Sequence, residues 1–217
     1  MEGYKEHFLL EELRFLATAA LVHAARIEEL SRVWTDADTA LQPLLQPAPP
    51  PEVRRRYDET QRLLGIRSGA QPEIFASIEA FLGFYARMAL IIFPKDERQD
   101  PVRRRRAERI RSALGVTARH GIATRLLRNK WFHFDEVLDK QMATAGVLLQ
   151  PARFMTSAEL AKSRDTQTIR LLILDRLEVH YRKVGAFKLR DLFEHVRDID
   201  SRAGQAIVTW GTRWPNE

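Results

Sequence analysis

Between Pro72 and Pro94 the chain is apolar on nearly every side. Ile74, Phe75, Ile78, Phe81, Leu82, Phe84, Tyr85, Met88, Leu90, Ile91 and Ile92 leave almost no polar face. A helix of that kind is stable in water only when other elements surround it. The spacing therefore predicts a central, buried helix, opening at Pro72 in a first turn and ending at Phe93 just before Pro94.

The covering elements have to come from the rest of the chain. From about Tyr4 to Trp34, Phe8, Leu9, Leu13, Leu16, Leu21, Ala24, Ile27, Leu30 and Val33 recur at helical spacing and predict one long helix. It gives way to Gln42-Pro43 and to Gln46-Pro47-Ala48-Pro49-Pro50-Pro51, where missing amide donors and fixed backbone angles oppose helix. Residues 43–51 read as an extended loop within one domain, because the first helix cannot bury its apolar face alone. A short basic segment with Arg54, Arg55, Arg56 and Arg62 follows and ends near Gly65. After the loop Lys95 to Asp100, Pro101 opens a third helix to about Leu114, ended by Gly115, and a fourth is expected from about Ala118 to Gln141.

Past Gly146 the pattern changes. Ile169, Leu171 and Ile173 alternate, as do Leu177, Val179 and Tyr181 with Glu178, His180 and Arg182 between them, which predicts two short strands in a hairpin. Leu189, Leu192, Phe193, Val196 and Ile199 form a helical stripe closing near Gly204. The expected fold is mainly α: a helical bundle over residues 1–145, then an extension over 146–217 whose small β-hairpin and terminal helix pack on the same domain.

Composition narrows the chemistry. The chain has 217 residues and no cysteine, which excludes a disulfide framework, a thiolate nucleophile and Cys-ligated zinc, and suits a reducing cytoplasm. Its 35 Lys+Arg against 29 Asp+Glu give a net charge of +6, which favours approach to polyanions. The excess of arginine suits phosphate recognition and equally suits the coding bias of a GC-rich genome. The N-terminus carries Glu2, Lys5, Glu6, Glu11 and Glu12 instead of a basic run and apolar core. Its longest uncharged run, Phe15 to Ala25, is shorter than the ~20 residues of a membrane span. The expectation is a soluble, cytoplasmic protein with no membrane partner.

One stretch sets chemistry-bearing side chains in an apolar helical pattern: Leu127-Arg128-Asn129-Lys130-Trp131-Phe132-His133-Phe134-Asp135-Glu136. At about 100° per residue, Leu127, Trp131, Phe134 and Leu138 share one stripe, the natural core face, while Asn129, His133, Glu136 and Lys140 gather opposite. Asn129 and His133 are four apart and adjacent on the helix surface. Arg128 projects roughly 140° from His133, which calls for a distorted helix or a phosphate held between two copies of the chain. Arginine offers a rigid fork of donors to phosphate, and histidine exchanges a proton near neutral pH. On spacing alone, an Arg and a His five apart on a solvated helix face explain the pattern as well.

Arg128-Asn129-Lys130-Trp131-Phe132-His133, continuing Phe134-Asp135-Glu136-Val137-Leu138-Asp139, resembles the HEPN superfamily in its "RN…HFDE.LD" bacterial form. The likeness covers residues 71 to 140, including the apolar helix ending Ile91-Ile92-Phe93-Pro94 and the arginine-rich third helix. It implies a HEPN-like helical bundle that dimerises and brings two motifs into one cleft. Many such proteins are metal-independent endoribonucleases acting as toxins, in phage defence or in RNA processing. By that resemblance His133 serves as general base or acid, Arg128 stabilises the phosphorane charge, and Asn129 holds the histidine or a phosphate oxygen. Arg125, Lys130, Arg103, Arg104, Arg105 and Arg106 are the expected substrate-binding residues, with no metal and no cofactor. The implied partners are a second copy of the chain, RNA, and a separately encoded antitoxin or nucleotidyltransferase. The rival is a non-catalytic helical module binding a protein, nucleotide or nucleic acid through the same face.

Trp131 and Phe132 are bulky for the positions they occupy. Phe132 points to the polar side and reads as a dimer contact, a base-stacking surface or packing under a loop. Arg103 to Arg106 with Arg109 and Arg111 read as a nucleic-acid contact or as a solvated face paired with Glu97, Asp100 and Glu108. Arg54 to Arg56 carry the same ambiguity. His7, His23, His120, His180 and His195 show no metal-ligand spacing, and His133 lacks a second histidine at i+4. No phosphate-cradling glycine loop, nucleophile elbow or nucleotidyltransferase motif is visible.

Overall fold

The computed structural model describes residues 2–47, 49–95, 97, 99–123, 150–162, 168–181 and 185–213. These are mainly helical, with a small four-stranded sheet toward the C-terminus. The chain divides into two compact units, Val22–Phe81 and Met1–Leu21 with Leu82–Glu217.

Helix α1 runs from Glu2 to Leu41, a turn and more beyond the expected end at Trp34. Leu10, Leu13, Ala17, Ala20, Ala24, Ile27, Trp34 and Leu41 are buried along it, mostly at alternating steps of three and four. Small alanines carry much of that seam. Phe8 and Val33, placed in the stripe by their helical spacing, are exposed instead.

In the unit Val22–Phe81, α1 is followed by a 3-10 turn, Gln42–Leu45, and α2 begins at Pro50 and runs to Ile92. The expected 43–51 loop is thus shortened at both ends, by the 3-10 turn and by the first turn of α2. Pro50 and Pro51 stand in the first turn, where the missing donors would have had no helical partner. The helix also passes Gly65, Gly69 and Pro72, so neither the break near Gly65 nor the start at Pro72 exists. Leu63, Ile66, Ala70 and Ile74 keep one apolar face across those residues, and that packing outweighs local propensity. Leu63 packs with Ala37, Leu41, Leu44 and Ile66. Arg67 pairs with Asp38 at 3.0 Å and lies 4.5 Å from the centre of the Trp34 ring, and Arg26 pairs with Glu73 at 2.6 Å.

The C-terminal half of α2 is buried nearly all round, as its composition predicts: Ile74, Ile78, Phe81, Leu82, Tyr85, Met88 and Ile92 are all fully inaccessible. The helix contains a stretch long and apolar enough to cross a membrane, and more than half of that stretch is buried inside the protein.

In the second unit, α3 spans Pro101–Leu114 between the signals expected of it. The Asp100 carboxylate accepts from the amides of Val102 and Arg103 at 2.9 and 3.1 Å, and Gly115 closes the helix at φ 61°. Arg111 ties the end of α2 to α3, donating to the Ile92 carbonyl at 3.1 Å and pairing with Glu97. The expected fourth helix does not begin at Ala118: residues 118–120 form a turn and Gly121–Ala123 a 3-10 turn. Its remainder lies outside the described residues.

The sheet has the order β1 (Gln150–Met155), β2 (Thr168–Ile173), β3 (Glu178–Tyr181), β4 (Gly185–Lys188). β1 pairs parallel with β2 across a connection containing α4 (Ser157–Lys162), and the other pairs are antiparallel. The expected hairpin is β2–β3, with Leu171 opposite His180 and Ile173 opposite Glu178. It sits inside a larger sheet. Met155, Leu171 and Ile173 line one face under Leu160 of α4. Leu172, Val179 and Phe187 are in register and buried on the other face, so β2 ends buried on both sides.

Helix α5 runs from Leu189 to Arg213 without stopping at Gly204. Ala203 and Ala206 extend the buried stripe of Leu189, Phe193, Val196 and Ile199 past the glycine.

Candidate functional site

On α5, His195, Asp198 and Arg202 fall within about 60° of one another, beside the buried stripe. The Arg202 side chain does two things. Its Nε donates to Asp198 Oδ2 at 2.6 Å, and its Nη1 donates to the carbonyls of Leu114 and Gly115 at 3.2 and 3.3 Å. Those are carbonyls that α3 leaves open at its end.

Asp198 Oδ2 also accepts from His120 Nε2 at 2.9 Å. His120 Nδ1 accepts from the amide of Ile122 at 3.1 Å, so the bonding pattern assigns the proton to Nε2. Burial pushes the Asp198 carboxyl up, but the bonds from Arg202 and His120 and the Arg202 charge outweigh it and hold the group below its usual range. Its side chain is 38% exposed, so water screens the pairs it makes.

His195 stands 5.6 Å from His120, centroid to centroid, and its Nδ1 lies 3.1 Å from the hydroxyl of fully buried Tyr85. Burial and the neighbouring His120 depress the His195 imidazolium, against the pull of Asp191, Asp198 and Glu194. Burial drives the Tyr85 phenol above its usual range. Gly121 sits against the ring: a Cβ there would lie 1.9 Å from Cε1 and 2.0 Å from Nε2 of His195. Only glycine fits.

The chemical capacities of the two histidines differ. Both nitrogens of His120 are engaged, which suits orientation of the 120–123 turn. His195 is bonded through Nδ1, and burial favours its neutral imidazole. Among the described residues no group of three or more His, Asp or Glu side chains is arranged to hold a metal.

Arg125, Arg128, Asn129, Lys130 and His133, with Trp131 and Phe132, lie outside the described residues. Arg103 to Arg106 are described, and α3 does not treat them alike. Arg103 pairs with Asp100 at 3.1 Å, Arg109 with Glu6 at 2.6 Å, and Arg111 with Glu97. Arg104, Arg105 and Arg106 are exposed and have no ion-pair partner among the described residues. The carboxylates of Asp100 and Glu97 therefore account for part of the basic run and leave its middle uncompensated. In the other unit, Arg56 pairs with Glu52 and Arg62 with Glu59 along an open groove that also holds Arg54 and Arg55.

Tyr85, His120, Gly121, His195, Asp198 and Arg202 were not candidates from sequence. Part of the signal was present, since His195, Asp198 and Arg202 make a polar strip on an otherwise amphipathic helix. That His120 and Gly121 meet it is a long-range fact. No family model, curated protein or solved structure matches this chain.

Proposed function

We propose that the chain is a metal-independent, HEPN-type endoribonuclease that works as a cytoplasmic dimer in a toxin or phage-defence setting. Any antitoxin or nucleotidyltransferase partner would be a separate chain. The observation that carries the reading is the Arg128-Asn129…His133 motif with its Phe134-Asp135-Glu136 continuation. The mainly helical class and the uncompensated cations on α3 support it.

In this reading the ribose 2′-hydroxyl attacks the adjacent phosphorus. His133 takes the hydroxyl proton or gives one to the departing 5′-oxygen, according to which step it serves. Arg128 stabilises the charge that builds on the non-bridging oxygens, and Asn129 orients the imidazole or a phosphate oxygen. The bond from phosphorus to the 5′-oxygen breaks, leaving a 2′,3′-cyclic phosphate and a 5′-hydroxyl. Arg125 and Lys130 contribute to binding the strand.

The test is cleavage of RNA by the purified full chain with and without EDTA. Wild type should cut in both conditions and leave those two ends. His133→Ala and Arg128→Ala should each lose activity by about 100-fold or more, of the order set by a general acid–base group or an oxyanion donor. Folded wild-type protein that leaves every tested RNA whole would sink the proposal.

A further inference from the structure

We infer that Arg104, Arg105 and Arg106 form a dock for the phosphodiester backbone of an RNA strand, engaging several phosphates at once and indifferent to base sequence. The inference rests on the ribonuclease reading only for the identity of the strand.

The helix geometry selects these three residues from the longer basic run. Ala107, Ile110 and Leu114 are buried and define the core side of α3. At about 100° per residue, Arg105 stands opposite that side, with Arg104 and Arg106 about 100° to either side of it. The cations splay instead of converging. A lone phosphate could engage one or two of them, whereas a strand laid across the helix offers a phosphate to each. Arg103, Arg109 and Arg111 are excluded because carboxylates already hold them.

Electrostatics points the same way. The three follow directly on the first turn of α3, at the positive end of its dipole, where cations are unfavourable. They also repel one another and Arg103; Asp100 pairs with Arg103, and exposed Glu108, three and four residues from Arg105 and Arg104, makes no ion pair with them among the described residues. In the free protein this arrangement opposes stability, and bound phosphates reverse its sign. The other exposed residues of α3, Pro101, Val102, Arg103, Glu108, Arg109, Ser112 and Ala113, include no aromatic or amide side chain to read a base.

The test compares full-length wild type with the triple variant Arg104→Ala/Arg105→Ala/Arg106→Ala. Binding is measured by fluorescence anisotropy across a salt series. The probes are uncleavable 2′-O-methyl oligonucleotides, oligo-A and oligo-U, each single-stranded and as a duplex, with DNA of equal length and AMP as controls. For single strands the slope of log K against log salt should become shallower by about 2, the value for three phosphates, and equally for both sequences. AMP should not distinguish the two proteins, and the free triple variant should melt at or above the wild-type temperature.

An unchanged slope overturns the dock, as does a loss confined to one base sequence or a lower Tm with binding intact. A slope change with duplexes alone would assign the dock to paired RNA, and one with DNA alone would overturn it. Cleavage in the same preparations separates the two claims. Cutting with an unchanged slope refutes only the dock, and arginine-dependent binding without cutting refutes only the ribonuclease.

Discussion

Replacing Gly121 by alanine tests the packing around His195 with a sign that depends on background. Gly121 is not at positive φ, so alanine can adopt its backbone without strain. By itself that substitution stabilises by about 0.4–1 kcal/mol, because it restricts the unfolded chain. Against this, the new Cβ would fall 1.9 Å from the His195 ring, far inside van der Waals contact. The ring has to leave, and its 3.1 Å hydrogen bond to the buried Tyr85 hydroxyl goes with it. Breaking a bond of that kind costs about 1–3 kcal/mol, and the displaced imidazole loses its packing as well. The net expectation is a loss of about 2 kcal/mol, or roughly 4–8 °C in Tm for a chain of this length. In a His195→Ala background the clash has no partner, and the added methyl group fills space the ring has vacated. There the same substitution should be neutral or stabilising by up to about 1 kcal/mol. Urea denaturation of the four proteins closes the cycle, with a coupling of about 2 kcal/mol between the sites. If Gly121→Ala costs the same with and without His195, the ring is not what requires glycine there.

Two further outcomes follow from the same site and its helix. His195 has a folded-state pKa below its ordinary value, so the unfolded chain takes the proton first as pH falls. Its contribution to stability is intact above about pH 6.5 and is lost below it, until the folded pKa is reached. The wild-type urea midpoint should therefore drop more between pH 7.5 and 5.5 than that of His195→Gln, and equal drops would remove His195 as the cause. Asp100→Ala removes the acceptor for two amides and the Arg103 partner, and should cost α3 about 1 kcal/mol by chemical denaturation, with no cost if the cap is idle.

What could be read from sequence was whatever is decided locally. The ends of α3 are set by Asp100, Pro101 and Gly115, whose own backbone preferences suffice. Hairpin β2–β3 was legible because Val179 and Tyr181 are buried while Glu178 and His180, alternating with them, are only half-buried. The start of α2 was hidden by its punctuation: Gly65, Gly69 and Pro72 signal a break, and only the face they share with Leu63 and Ile74 carries the helix through. The seam of α1 was legible at Leu13, Leu16, Ala24, Ile27 and Leu30 and missed at Phe8 and Val33, which are exposed. β1 and β4 show no alternation long enough to notice, one containing Pro151 and the other only four residues long. The histidine cluster needs His120 and His195 brought together across the chain, and no spacing encodes that.

Arg202 finishes α3 from far downstream, bonding carbonyls 87 and 88 residues earlier in the chain. During synthesis at about 5–20 residues per second, those carbonyls wait roughly 4–17 s for their donor. Through that interval those two carbonyls are left to water, and the Tyr85 hydroxyl has no imidazole to meet. A helix made late thus completes elements made well before it. Assembly of this unit should be governed by its arrival, in the manner of folds whose decisive contacts are distant in sequence.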